Sequence, residues 1–195
     1  MSGKLILISS PSGGGKNSVI KALLAQFKNA TSFVTTTTRK KRKGEEHGKD
    51  YYFISREEFE LMLEHEKFVE HNEYAGNLYG TEKAKLNEFL ETYDLVFSQA
   101  DVHGKHSLDK LDIPHLSIFL MPESLDVLKE RIINRGGVSE EKMLERMKIA
   151  KEELETSKDY DFRIVNAEGK LEDTVKEIAG IIREYVVDSL DVLSK

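Results

Sequence analysis

One junction near the N-terminus constrains the fold more than any other part of the chain. The apolar run Leu5-Ile6-Leu7-Ile8 enters Ser9-Ser10-Pro11-Ser12-Gly13-Gly14-Gly15-Lys16-Asn17-Ser18, and the helical pattern Val19-Ile20-Lys21-Ala22-Leu23-Leu24 follows at once. A buried strand, a glycine-rich loop, a lysine and a helix, in that order, form a phosphate cradle. The glycines let the backbone close around phosphate oxygens. Successive N–H groups and the helix N-terminus supply positive potential, and the lysine adds a mobile full charge. The loop is imperfect: Ser10 stands where the pattern begins with Gly. Asn17 stands where Ser or Thr normally follows the lysine to reach Mg²⁺, and Ser18 comes one residue late. A flexible Gly-Ser turn is the plain alternative. Lys16, placed between a strand and a helix in the right order, favours nucleotide binding.

Apolar runs alternate with helical patterns along the rest of the chain. Strands are expected at Leu5–Ser9, Ser32–Thr36, Phe68–Tyr74, Leu78–Tyr79, Leu95–Ala100, His115–Met121 and Phe162–Val165. Helices are expected over Asn17–Phe27, Arg56–Glu66, Thr81–Thr92, Ser124–Asn134, Glu140–Ser157 and Leu171–Leu193, with Ser55 and Glu58 forming a capping box for the second. This alternation predicts an α/β fold with a parallel sheet. Short strands between about residues 35 and 92 break the alternation and read as an inserted subdomain.

Composition narrows the function classes. The 195 residues suffice for one domain with a real core, and no apolar run approaches the length of a membrane span. The first residues lead straight into a strand, which reads as the absence of a secretory signal. There is no cysteine, so disulfides, thiolate zinc sites and cysteine nucleophiles are excluded. A net charge of −6 disfavours general nucleic-acid binding, although it leaves room for a local basic patch.

Three further clusters carry chemistry. In Thr35-Thr36-Thr37-Thr38-Arg39-Lys40-Lys41-Arg42-Lys43-Gly44-Glu45, five consecutive cations fit a nucleic-acid patch or a solvated loop. They equally fit two arginines forking around one phosphate, with Glu45 orienting an arginine and Tyr51 and Tyr79 adding hydroxyl donors. Glu70 and Asp101 are either surface charges or readers of guanine, whose N1–H and N2–H₂ offer adjacent donors that adenine lacks. Arg131, Arg135 and Arg146 lie around the turn Gly136-Gly137. They could close over transferring phosphates, or simply pair with Glu130, Glu141 or Glu145 on helix surfaces.

Read together, these motifs resemble the guanylate kinase family. The resemblance rests on Pro-Ser-Gly-x-Gly-Lys, on Thr37-Thr38-Arg39-x-x-Arg42-x-Gly44-Glu45-x-x-Gly48-x-x-Tyr51-x-Phe53, on Gly76-Asn77-x-Tyr79-Gly80-Thr81, and on Arg131-x-x-x-Arg135-Gly136. It covers about residues 4 to 185, with the motifs in the family's order. It implies a P-loop NTPase-type three-layer α/β fold with a central parallel sheet, an inserted GMP-binding subdomain and a small helical lid. The expected core is 1–34, 93–127 and 158–195, the GMP-binding subdomain 35–92 and the lid 128–157. The implied reaction is ATP + GMP giving ADP + GDP with Mg²⁺, in a cytoplasmic monomer or homodimer of purine metabolism.

By matching position, Ser12, Gly13, Gly14, Gly15, Lys16, Asn17, Ser18 and Asn166 would hold ATP, with Asn17 the candidate Mg²⁺ contact. Arg39, Arg42, Tyr51 and Tyr79 would hold the GMP phosphate, with Glu45 supporting the arginines. Thr35, Glu70, Thr81 and Asp101 would surround the guanine nucleoside. Arg135 and Arg146 would join Lys16, Arg39 and Arg42 in stabilising the transferring group. Asn17 and Gln99, which stands where the family usually has an acid, predict a kinase slower than a typical member. A non-catalytic protein-binding module of the same family and a kinase for another phosphorylated acceptor are the competing readings. The retained loop argues against the former, and the acidic pair against the latter.

Overall fold

Leu5, Ile6, Leu7 and Ile8 run through the middle of the molecule, and their side chains part alternately to two cores. A computed structural model describes residues 3–74, 76–134 and 140–193. Ile6 and Ile8 pack with Val19, Ile20 and Leu23 of α1 (Lys16–Leu24) and with Val175, Ile178, Ala179 and Ile182 of α7 (Leu171–Leu193). Leu5 and Leu7 face the other way, onto Phe33, Val69, Leu86, Val96 and Leu108. A strand that buries both faces between helical layers reads as an unbroken apolar run, as this one does.

That strand, β1 (Lys4–Ser9), is the centre of a five-stranded sheet. Its partners are β2 (Ala30–Ser32), β7 (Leu95–Gln99), β8 (His115–Met121) and β9 (Phe162–Val165), in the order β2-β7-β1-β8-β9. All four pairings are parallel. Loops at the carboxyl ends of such strands bound the usual ligand crevice, and the glycine loop leaves β1 there.

The second sheet is small and is built from residues between 36 and 82. Its order is β4 (Tyr52–Phe53), β3 (Thr36–Thr37), β6 (Asn77–Glu82), β5 (Phe68–Tyr74). It has its own core of Phe59, Phe68 and Leu78, with the Phe59 and Phe68 rings stacked at 4.3 Å. Phe59 comes from α2 (Arg56–Glu64), whose first turn is closed by Ser55 Oγ accepting from the Glu58 N–H at 3.0 Å.

The structure corrects two of the expected elements and adds a helix. The expected strand Ser32–Thr36 is two strands in different sheets, because β2 ends at Ser32 and β3 starts at Thr36. Thr81 does not begin a helix: it stays in β6 opposite Glu70, and α3 (Lys83–Thr92) starts two residues later. A helix absent from the sequence reading, α4 (Val102–Lys110), follows β7. Its buried residues are Val102, Gly104, Lys105 and Leu108, so a lysine interrupts the apolar spacing. Lys105 is tolerated there because Asp109 Oδ2 at 2.9 Å and the Asp159 carbonyl at 3.0 Å accept from its ammonium. The remaining helices are α5 (Leu125–Asn134) and α6 (Glu140–Thr156), and a 3₁₀ turn, Ser157–Asp159, follows α6. No helix among the described residues is long and apolar enough to cross a membrane.

Candidate active site

The loop after β1 wraps because two of its glycines hold positive φ, Gly13 at 93° and Gly15 at 91°, a region that costs residues with a Cβ. Gly15 is also the N-cap of α1, so the helix opens directly onto the loop. Asn166 braces the loop from across the sheet, its amide donating to the Gly14 carbonyl at 2.9 Å. A Cβ on Gly15 would lie 2.5 Å from that same amide nitrogen. Lys16 curls back over the loop and donates to the Ser10 carbonyl at 2.6 Å and to Ser10 Oγ at 3.2 Å. The Ser10 hydroxyl hydrogen goes to the Pro11 carbonyl at 3.0 Å, leaving its oxygen as the acceptor for Lys16. Ser12 and Ser18 are exposed at the rim, and Asn17 is exposed into the cleft.

A cleft of about 840 Å³ runs from this loop to the small sheet. Lys16 and Asn17 line one side. Arg39, Arg42, Glu45, Tyr51 and Tyr79 line the other, and Thr35, Glu70 and Asp101 also face the space. Residues 60 or more apart in sequence thus share one cavity.

The arginine end is built locally. Glu45 accepts from both terminal nitrogens of Arg39, at 2.7 and 3.0 Å, and from the backbone N–H of Arg42 at 2.8 Å. The fork of Arg39 lies over the rings of Tyr51 and Phe53, at 5.1 and 5.6 Å to their centroids. The bond to Glu45 raises the pKa of Arg39, and the same bond lowers that of Glu45, so both stay charged. The Tyr51 and Tyr79 rings meet edge-on at 6.0 Å. Burial raises the pKa of Tyr51, which keeps its hydroxyl a donor. Fixed donors already turned toward one space suit a phosphate monoester.

The acidic end is built from long-range contacts. Thr81 Oγ1 donates to Glu70 Oε1 at 2.6 Å, across the β5–β6 pair. Burial pushes the Glu70 carboxyl up from its ordinary range, with the Thr81 bond opposing and the nearby Asp101 charge adding to the rise. Asp101 caps α4, its Oδ1 accepting from the Gly104 N–H at 2.9 Å, while Oδ2 accepts from Asn72 at 3.1 Å.

Of the lid arginines, Arg135 lies outside the described residues. Arg131 pairs with Glu168 at 2.8 Å and with the Asn166 carbonyl at 3.2 Å, rather than with Glu130, Glu141 or Glu145. Arg146 is half-buried on α6.

Sequence reading missed three residues around the cleft. Asn72 lines it two positions after Glu70 on the same strand, and period-2 alternation could have found it. Glu153 of α6 has a carboxyl that burial raises to about 7; Lys16 pulls it down, and Asp101 pushes it up. Tyr160 donates to Ser9 Oγ at 2.8 Å, and Ser9 donates in turn to the Ala100 carbonyl at 2.6 Å, which ties the chain after α6 to the ends of β1 and β7. Nothing local in the sequence marks the last two.

A parallel sheet with a glycine-lysine loop at the end of its central strand, facing an arginine–carboxylate fork across one cleft, defines a P-loop nucleotide-binding protein. Known proteins narrow the class. The family model for guanylate kinase matches residues 2–185. Guanylate kinases of Clostridioides difficile and Prochlorococcus marinus are each 39% identical over 180 residues, 92% of this chain and 87% and 97% of theirs. That of Sus scrofa is 38% identical over 83% of each chain. A solved guanylate kinase from Anaplasma phagocytophilum has a TM-score of 0.73 and 32% identity, covering 94% of this chain and 86% of its own. The chain belongs to the guanylate kinase family. A shikimate kinase from Bacteroides thetaiotaomicron, 16% identical with a TM-score of 0.55 over 92% of this chain and 98% of its own, shares the fold alone.

Proposed function

We propose that the protein transfers the γ-phosphoryl group of ATP to GMP, and to dGMP, giving ADP and GDP. The observation that carries this reading is the opposition, across one cleft, of Lys16 on its glycine loop and the Arg39–Glu45 fork with Arg42. A non-bridging oxygen of the GMP phosphate attacks the γ-phosphorus. The bond from that phosphorus to the β–γ bridging oxygen breaks, and its electron pair leaves with ADP. The acceptor phosphate is anionic at neutral pH, so no side chain has to remove a proton. The protein supplies position and positive charge.

In this reading Lys16 exchanges Ser10 for nucleotide phosphate, and the loop N–H groups of Gly13 to Lys16 hold the β- and γ-oxygens. Ser12, Ser18 and Asn166 complete the ATP side, with Asn166 keeping the loop in shape. Arg39, Arg42, Tyr51 and Tyr79 grip the GMP phosphate. Glu70 and Asp101 accept from the guanine N–H groups, beside Thr35 and Thr81. Residues 35–92 act as the acceptor-binding unit and 128–157 as a lid that brings in Arg135 and Arg146 and excludes water.

Among the described residues no group of three or more His, Cys, Asp or Glu could cage a metal. Mg²⁺ is held mainly by substrate phosphates and water, with one or two protein oxygens. The Asn17 amide oxygen, with the Ser18 hydroxyl one residue on, would be the hard donors on the protein side. Bound there, the ion would offset negative charge on the phosphates. A cytoplasmic location and a monomer or homodimer, without nucleic-acid or membrane partners, complete the proposal. A coupled ADP-release assay across GMP, dGMP, AMP, CMP and UMP tests it. Turnover confined to GMP and dGMP is expected, and no ADP formation with any acceptor would overturn it.

A further inference from the structure

Asn72 is not one of the residues that the family motifs place in the site. It sits on β5 two positions from Glu70, on the same strand face, and lines the cleft beside Asp101. Asp101 receives one donor on each oxygen: Gly104 N–H at 2.9 Å on Oδ1 and Asn72 Nδ2 at 3.1 Å on Oδ2. The first contact belongs to the cap of α4, and the second comes from a different sheet. An ionised carboxylate only accepts, so the amide must present its NH₂; the flipped amide would set oxygen against oxygen. Two donors from two directions fix the carboxylate plane, whereas the Gly104 cap alone leaves Oδ2 free to swing. The second lone pairs of both oxygens stay available to the cleft.

We propose that Asn72 is a positioning residue for acceptor specificity, holding Asp101 in the orientation that accepts from the exocyclic 2-amino group of a bound purine. This inference rests on the assignment of GMP as acceptor. The residue type is selective. Alanine would remove the donor, and aspartate would place a second acceptor within about 3 Å of Asp101, so that the two carboxylates repel. Asn72 touches no reacting atom in this scheme. Its effect therefore falls on acceptor binding and on discrimination between guanine and hypoxanthine, which lacks the 2-amino group.

The test is a double-mutant cycle with Asn72→Ala and Asp101→Asn, read as dissociation constants for GMP, IMP and ATP by titration calorimetry and as kcat with GMP. Asp101→Asn keeps an oxygen for the Gly104 cap while putting an NH₂ where Asn72 points. Asn72→Ala is expected to weaken GMP about three- to tenfold, the effect of about one hydrogen bond, and to leave IMP, ATP and kcat near wild type. In the Asp101→Asn background the same change is expected to add nothing. Asn72→Ser, with a shorter donor, is expected to fall between and serves if the alanine variant does not fold. Equal losses for GMP and IMP, a matching loss for ATP, or losses that multiply in the double variant would overturn the inference. Absence of GMP binding by the wild-type protein would instead overturn the assignment of the acceptor.

Discussion

Glu153→Gln gives the sharpest test of the electrostatics around Lys16. The Glu153 carboxyl is raised from 4.5 to about 7, first by burial, against the pull of Lys16 and with a push from Asp101. In the unfolded chain it returns to the ordinary value. Between pH 4.5 and 7 the folded state therefore holds more protons than the unfolded one, and stability falls as pH rises through that window. The gap of about 2.5 pH units corresponds to about 3.4 kcal/mol at about 1.36 kcal/mol per unit. Partial contact with solvent reduces that to about 2 kcal/mol at pH 8. Glutamine matches the protonated form in size and charge, so the variant is expected to be more stable than wild type by about 2 kcal/mol at pH 8 and equal to it at pH 4. Urea melts of both proteins at half-unit intervals from pH 4 to 8 measure the difference. Phosphates arriving at Lys16 would also raise Glu153 further, so ATP binding at pH 7.5 should take up more protons in wild type than in the variant. Calorimetry in buffers of different ionisation enthalpy reads this. Parallel stability curves for the two proteins across the window would refute the reasoning, because they would mean that Glu153 titrates alike folded and unfolded.

Thr81→Val removes the 2.6 Å donor to Glu70, so the Glu70 carboxyl should move further up; KM for GMP should begin to rise at a higher pH than in wild type as pH is lowered, and an unchanged profile would contradict the assigned bond. Gly15→Ala places a Cβ at positive φ and against the Asn166 amide, at 2.5 Å; a stability loss of about 1–3 kcal/mol is expected, together with loss of the ATP-induced shift in melting temperature. Phe59→Ala empties the centre of the small sheet's core at a cost of about 3–5 kcal/mol. Thermal shifts should show GMP-induced stabilisation lost before the ATP-induced shift.

Much of what is encoded within a few residues was legible from the sequence. The loop could be read because positive φ demands glycine at Gly13 and Gly15, and Lys16 has to follow on the first turn of α1. The Arg39–Glu45 fork spans six residues, so its spacing alone suggested it. The apolar run of β1 announced a buried strand, and the alternation of strands with helices announced the parallel sheet. Tertiary structure decided the rest. Lys105 broke the apolar period of α4, and Asp159, 54 residues away, joins Asp109 on the same helix in letting that helix bury a charge. Glu70 became a raised, Thr81-bonded carboxyl rather than a surface charge because β5 folds back on β6. Asn72 and Asp101, Tyr160 and Ser9, and Glu153 and Lys16 meet only when separate sheets and helices close on one cleft. Local sequence sets backbone conformation and charge, but desolvation and partner choice depend on which distant surfaces come together. The chain therefore spelled out its glycine-lysine loop and its arginine fork, while the protonation and orientation of the groups between them were fixed by the assembled fold.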